Sequence, residues 1–388
     1  MNNHLIGWDV GGAHLKAALL DADGNLQQVL QVPCALWRGL QELEVAIDLV
    51  LNTFGGSSAS HAVTMTGELV DLFANRKEGV QSISRVMQAK LIGHVKFYTG
   101  TLHTDILHTG TLQKDTLHPD LSTKSVFSGF VLFNDVEDYW QYIASANWQA
   151  SASFVASKVK CGLMIDIGST TADFVLIENN QAACLGFTDA TRLQSEELVY
   201  TGVVRTPLMA IAQKVQFKHA TTSVAAEFFA TTADVYRLTE DLLAIDDMAE
   251  TADARDKSHL ATARRIARMI GRDVEDASMI EWIGLAYTFK LQQLERLKNV
   301  ASTHISRLTN HKNIQQPMFL VGAGAGSFLA REVAKLIAIP YIDVVDLISL
   351  NANENATNGQ DDAIDIRRWA SVCLPAYAVA YLAYHQPN

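Results

Sequence analysis

The stretch 164-MIDIGSTTADFVLIE-178 decides how the chain reads. An apolar run ends at Asp166, then come Gly168, three small hydroxyl residues (Ser169, Thr170, Thr171) and a second apolar run from Phe174 to Ile177. Short apolar runs bounded by Gly and hydroxyl residues predict two buried strands joined by a tight turn. Such a turn suits phosphate, because Gly168 lets backbone N–H groups approach an anion and the hydroxyls add donors. A carboxylate at the strand end, Asp166, can then hold a metal ion or take a proton from a nucleophile.

Working outward, the same design stands at the start of the chain. Aligned without a gap, 7-GWDVGGAHLKAALL-20 lies on 164-MIDIGSTTADFVLI-177, with Asp9 on Asp166 and Gly11 on Gly168. A repeat half a chain apart points to a duplicated domain rather than a solenoid. A third glycine turn, 319-FLVGAGAGSFLAREVAKLI-337, follows an apolar run and opens a helical pattern; its glycines are Gly322, Gly324 and Gly326. Each turn alone is an ordinary feature. Their order resembles the nucleotide-binding core of actin, Hsp70 chaperones and sugar kinases, which has two phosphate turns and one adenosine turn. The expected fold is therefore α/β: a two-lobed, actin/Hsp70/sugar-kinase-like (ribonuclease H-like) duplication with a helical insertion in the second lobe.

Length and composition agree with this. A chain of 388 residues suits two lobes, and 48% apolar with 19% charged residues is the balance of a globular enzyme. A net charge of −11 argues against nucleic acid or an anionic membrane as the main partner. No run of 18 apolar residues occurs, and MNNHLIGWDV reads as a strand rather than a signal peptide, so a cytoplasmic location is expected. Cys34, Cys161, Cys184 and Cys373 lack C-x-x-C spacing and read as buried thiols.

The first lobe is expected over 1–157, completed by a closing apolar helix at 363–386, and the second over 158–362 with a largely helical insertion at 179–318. In the first lobe, 61-HAVTMTGELVDLF-73 places Glu68 just beyond a strand end, where open α/β sheets bind ligands. The Leu-His-rich stretch 99–125 does not follow the i, i+4 spacing of a metal-binding helix and reads as a turn-rich loop. In the insertion, Arg255 and Lys257 flank Asp256, an arrangement that can bind phosphate while acidic neighbours fix the side chains.

Eight motifs in order carry a more specific resemblance: 8-WDVGGAHLKAA-18, 64-TMTGELVDLF-73 with 76-RKEGV-80, 145-SANWQASA-152, 164-MIDIGSTTADF-174, 197-ELVYTGVVRTP-207, 231-TTADVYRL-238, 251-TADARDKS-258 and 321-VGAGAG-326. Over nearly its whole length the chain resembles the hydantoinase/oxoprolinase-related family of tetrahydromethanopterin-linked C1-transfer proteins. The resemblance implies a transferase of methanofuran biosynthesis. It would join a (5-(aminomethyl)furan-3-yl)methyl diphosphate to the phenol of γ-glutamyltyramine, with release of pyrophosphate. For that chemistry Asp9 and Asp166 would place Mg²⁺. Gly11, Gly12, Lys16 and Gly168 to Thr171 would hold phosphates, and Arg205, Arg255 and Lys257 would neutralise the leaving group. Asp166, Glu68 and Asp234 are three candidate bases for the phenol. Two other readings stay open on the fold alone: an ATP-dependent kinase or ATP-hydrolysing ring-opening enzyme with adenine at Gly322–Gly326, and a nucleotide-dependent switch.

Overall fold

The computed structural model describes residues 4–55, 59–100, 129–310, 317–350 and 360–386; the Leu-His-rich stretch from residue 101 onward lies outside them. Two compact units result, Met1–Lys158 with Leu347–Asn388, and Val159–Asp346. The boundaries drawn from the sequence were 157 and 362. The return comes earlier because Leu26 donates to the Ser349 carbonyl and bridges Leu350 in parallel, tying that segment to the first unit.

The first unit runs β1 (His4–Val10), β2 (His14–Leu20), β3 (Leu26–Pro33), α1 (Leu40–Thr53), β4 (Ala59–Met65), α2 (Arg76–Lys90), β5 (Val95–Tyr98), β6 (Phe130–Leu132), α3 (Val136–Ile143) and α4 (Asn147–Lys158). Its sheet has the order β3-β2-β1-β4-β5-β6, with β1 antiparallel to β2 and parallel to β4. Strand β1 is central, which is why its sequence is apolar almost throughout. Ile6, Trp8 and Val10 face Leu43 and Ile47 of α1 and Val80 and Ile83 of α2. Helices α3 and α4 are separated at Ser145, whose φ is 52°.

The second unit continues with β7 (Cys161–Ile167), β8 (Ala172–Glu178), β9 (Gln181–Ala182), α5 (Asp189–Gln194), β10 (Leu198–Val199), α6 (Leu208–Ile211), β11 (Lys214–Phe217), β12 (Ala220–Ser223), α7 (Thr232–Leu238), α8 (His259–Arg268), α9 (Met279–Asn310), β13 (Phe319–Ala323), α10 (Ser327–Leu336) and β14 (Tyr341–Asp343). The main sheet follows β10-β8-β7-β13-β14, with β7 antiparallel to β8 and parallel to β13. This repeats the core of the first sheet, strand for strand. The insertion at 179–318 is less uniformly helical than its pattern suggests. It lends β10 to the main sheet and folds β11 and β12 into a hairpin whose Phe217 stacks on Trp282 of α9.

The closing segment, expected as one helix, is two: α11 (Gln360–Val372) and α12 (Leu374–Tyr384). Pro375 lies in the first turn of α12, where a missing N–H costs nothing, and a helix continuing through it would lose a hydrogen bond. Residues Ala376 to Ala380 of α12 are buried in the first unit. A Cβ on Gly7 of β1 would lie 2.0 Å from the Ala376 carbonyl, so this strand can meet the helix only with glycine there.

His61 of β4 makes the stability of the first unit pH-dependent. Its Nδ1 accepts from Trp8 Nε1 at 3.2 Å, and burial pushes its pKa down to about 4 against the opposing hydrogen bond to the Ile92 carbonyl. Above about pH 6.5 both folded and unfolded states hold a neutral imidazole. Below it the unfolded chain takes up a proton that the folded chain refuses until pH 4. Stability should therefore fall by about 3 kcal/mol across that window. Urea unfolding at pH 7 and 4.5 measures this, and His61→Gln should remove the His61 contribution. An identical slope in the variant would show that His61 is not its source.

Candidate functional site

The two units carry the same turn, built by the same bonds. In the first, the Gly11 amide donates to the His14 carbonyl at 3.0 Å; in the second, Gly168 donates to Thr171 at 2.9 Å. Beyond the neighbouring parallel strand, Thr66 donates to the Val10 carbonyl (2.9 Å), and Gly326 to that of Ile167 (2.8 Å). The alignment of 7–20 on 164–177 is thus an alignment of hydrogen bonds as well.

Cross-strand neighbours differ. Asp9 stands opposite Lys16 on β2 and Thr64 on β4, whereas Asp166 stands opposite Asp173 on β8 and Ala323 on β13. Directly opposed residues share a face of the sheet. Lys16 Nζ lies 3.9 Å from Asp9 Oδ2. Asp9 is 3% exposed, and burial raises its pKa although the Lys16 charge opposes this. Its Oδ1 meets no hydrogen-bond donor among the described residues. That orphaned oxygen fits a divalent cation of the magnesium kind, which one or two carboxylates and a ligand's phosphates commonly hold. Asp173 was not singled out from the sequence, although the internal alignment already sets it on Lys16. Burial raises its pKa while the buried guanidinium of Arg192, at 2.8 Å, pulls it back.

The turn at 168–171 is shaped by 201-TGVVRTP-207. Val203 donates to the Gly168 carbonyl (3.1 Å), and Val204 and Arg205 both donate to that of Ser169 (3.0 and 2.8 Å). With those carbonyls taken, the amides of Ser169, Thr170 and Thr171 find no acceptor among the described residues, and they can receive the oxygens of an anion. Arg205 Nε donates to Thr170 Oγ1 at 2.9 Å, so a predicted leaving-group cation touches a predicted phosphate turn. A Cβ on Gly202 would come within 2.4 Å of Ser169 C and Thr170 N; only glycine permits this contact. Gln293 of α9 fixes the segment by donating to the Gly202 carbonyl and Thr201 Oγ1, both at 3.0 Å.

The third glycine turn packs tightly. Gly322 faces the Tyr341 ring, Gly324 (φ 80°) lies over Asp166 and the Ile167 carbonyl, and Gly326 meets Ile167 and Val203. These close approaches within the unit account for the three glycines without a nucleotide.

Glu68 lies in a short 3₁₀ turn after β4 and is buried; Ser145 Oγ donates to its Oε1 at 2.8 Å. Gly12 accepts from the Leu36 amide at 3.1 Å. Asp234 sits elsewhere, at the head of α7, and both its oxygens are occupied. Oδ2 accepts from the Thr231 amide, and Oδ1 from Arg237 (2.6 Å) and from fully buried Arg265 (2.8 Å). A carboxylate clasped by two guanidiniums is a structural hub. Arg265 also holds Asp253 (3.0 Å) and the Asp256 carbonyl (3.1 Å), while Arg237 grips Asp247 through two nitrogens. Burial opposes ionisation of Asp247, yet Arg237, with Lys257, keeps its carboxyl below the usual range. Lys257 is committed to Asp247, at 3.2 Å from the carboxylate and bonded to its carbonyl. Arg255 projects from the same framed loop, exposed, with no side-chain hydrogen bond among the described residues.

Duplicated sheets of this order, each with a glycine–hydroxyl or glycine-rich turn at the end of its central strand, define a ribonuclease H-like, actin/sugar-kinase-type α/β protein. The chain belongs to the hydantoinase/oxoprolinase family, whose sequence profile matches residues 60–352. It is 25% identical over 386 residues, covering 98% of both chains, to the (4-{4-[2-(gamma-L-glutamylamino)ethyl]phenoxymethyl}furan-2-yl)methanamine synthase of Methanocaldococcus jannaschii. The synthase of the same name from Methanococcus vannielii is 32% identical over 139 residues, 36% of this chain and 62% of that one. Solved structures align with low scores. A nucleotide-free ATP-dependent acetone carboxylase gives a TM-score of 0.49 at 11% identity, over 86% of this chain and 67% of that one. Component A of the Acidaminococcus fermentans (R)-2-hydroxyglutaryl-CoA dehydratase gives 0.41 at 10%, over 98% of each. These two likenesses bear on neither substrate nor ligand.

Proposed function

We propose that the protein is a methanofuran-type ether-forming transferase, joining a furanylmethyl diphosphate to the phenol of γ-glutamyltyramine. The relatives' name describes a product in which a phenol oxygen is bonded to the methylene of a furan bearing an aminomethyl group. In the proposed reaction the methylene–diphosphate C–O bond breaks, the phenol oxygen forms the new C–O bond, and the phenolic proton passes to a carboxylate. Pyrophosphate leaves. The observation that carries the reading is Arg205 seated on Thr170 beside three amides with no acceptor among the described residues, a cation and a donor cradle suited to a diphosphate. Asp166, at the end of the same strand-turn, is the proposed base. Glu68 is a second carboxylate held in place by Ser145, and exposed Arg255 the second cation. Lys257 serves chiefly to brace the Arg255 loop. In the first unit Asp9, with its orphaned Oδ1, would hold magnesium, and in the second Asp166 is the candidate magnesium ligand; the ion would neutralise diphosphate charge. Lys16 would bind phosphate beside Gly11 and Gly12.

Incubating the protein with furanylmethyl diphosphate, γ-glutamyltyramine and Mg²⁺ but no ATP should release pyrophosphate in step with ether product. Strict dependence on ATP, with ADP formed one for one, would overturn the mechanism in favour of the kinase-like reading.

A further inference from the structure

The segment at 204–208 runs extended beside 230–233. Ala233 donates to the Val204 carbonyl (3.2 Å), Thr232 to that of Thr206 (2.9 Å) and Leu208 to that of Ala230 (3.0 Å), with Pro207 and Thr231 facing each other. Successive side chains of an extended chain point to opposite faces. Burial follows this rule: Val204, Thr206 and Leu208 are buried, while Arg205 is exposed and Pro207 half-buried. Arg205 and Pro207 thus share the open face, about 7 Å apart at 3.3–3.4 Å per residue. Where the pairing ends and α6 begins, two apolar side chains are exposed. Met209, just past Pro207, is 38% exposed, and Phe229, next to Ala230 on the partner segment, is 36% exposed. One exposed apolar residue is ordinary. Here two, Met209 and Phe229, with half-buried Pro207 before them, lie along the same paired segments as the cation that touches the phosphate turn, charged at one end and apolar at the other.

We infer that Pro207, Met209 and Phe229 form the seat for the ring attached to the diphosphate, and that Phe229 sets the preference for an aromatic over an alkyl group. The inference rests on the diphosphate reading above. An aromatic ring laid on a Phe removes enough apolar surface from water to account for about a tenfold gain in affinity.

Calorimetric binding of inorganic pyrophosphate, methyl diphosphate and benzyl diphosphate to the full-length protein, in magnesium buffer, tests it. Wild type should bind benzyl about tenfold more tightly than methyl diphosphate. Phe229→Ala should bring the two near parity and leave pyrophosphate affinity unchanged, with Phe229→Leu in between. A wild-type ratio near one, or a ratio that Phe229→Ala leaves intact, overturns the inference alone. Failure of wild type to bind any of the three overturns the diphosphate reading and the inference together.

Discussion

Replacing Asp166 by Asn should lower turnover about a hundredfold or more while leaving the unfolding free energy within about 1 kcal/mol of wild type. The substitution keeps the shape of a side chain at the end of β7, over which Gly324 packs, and removes its charge. Asp173, directly opposite, keeps its ion pair with Arg192 whichever residue stands at 166, so the substitution should not weaken the fold. Pyrophosphate release and urea unfolding measured on the same preparation separate the two effects. Wild-type turnover in the folded variant would remove Asp166 from the chemistry.

The largest loss of stability should come from Arg265→Ala, about 3–5 kcal/mol, because it leaves the carboxylate of Asp234 buried with one guanidinium instead of two and takes from Asp253 its nearest cation. Asp234→Asn should also destabilise, by about 2 kcal/mol, since Arg237 and Arg265 both lose a charged partner. This separates a hub from a base. If Asp234 took the phenolic proton, its Asn variant would lose turnover at unchanged stability. The midpoint of urea unfolding for both variants, against turnover at low denaturant, decides between these outcomes. In either variant the Arg255 loop should become more open to proteolysis, because Arg265 anchors it through Asp253 and the Asp256 carbonyl.

The pair of strand–turn–strand units is legible in the amino-acid sequence alone. Their signal is local: an apolar run, a carboxylate, a glycine and a second apolar run, within fourteen consecutive residues in each copy. The hydrogen bonds that close each turn, Gly11 to His14 and Gly168 to Thr171, join residues three apart, so the pattern and the geometry are the same information. The third glycine turn and the return of the closing apolar segment were legible for a similar reason, since burial of a whole apolar face shows as composition.

Tertiary structure alone decided which charged residues act together. Arg205 meets Thr170 across 35 positions of chain, and Arg265 meets Asp234 across 31. At such separations neither periodicity nor spacing carries a signal, because the intervening β8, β9, α5 and β10 in the first case, and α7 with the loop into α8 in the second, set the approach. Asp234 and Arg205 therefore look equally functional as letters, yet one is clasped between two guanidiniums and the other reaches the turn that the sequence had already marked. Gly202 shows the same limit. Nothing near it in sequence asks for glycine, and only the approach of the Ser169–Thr170 backbone does.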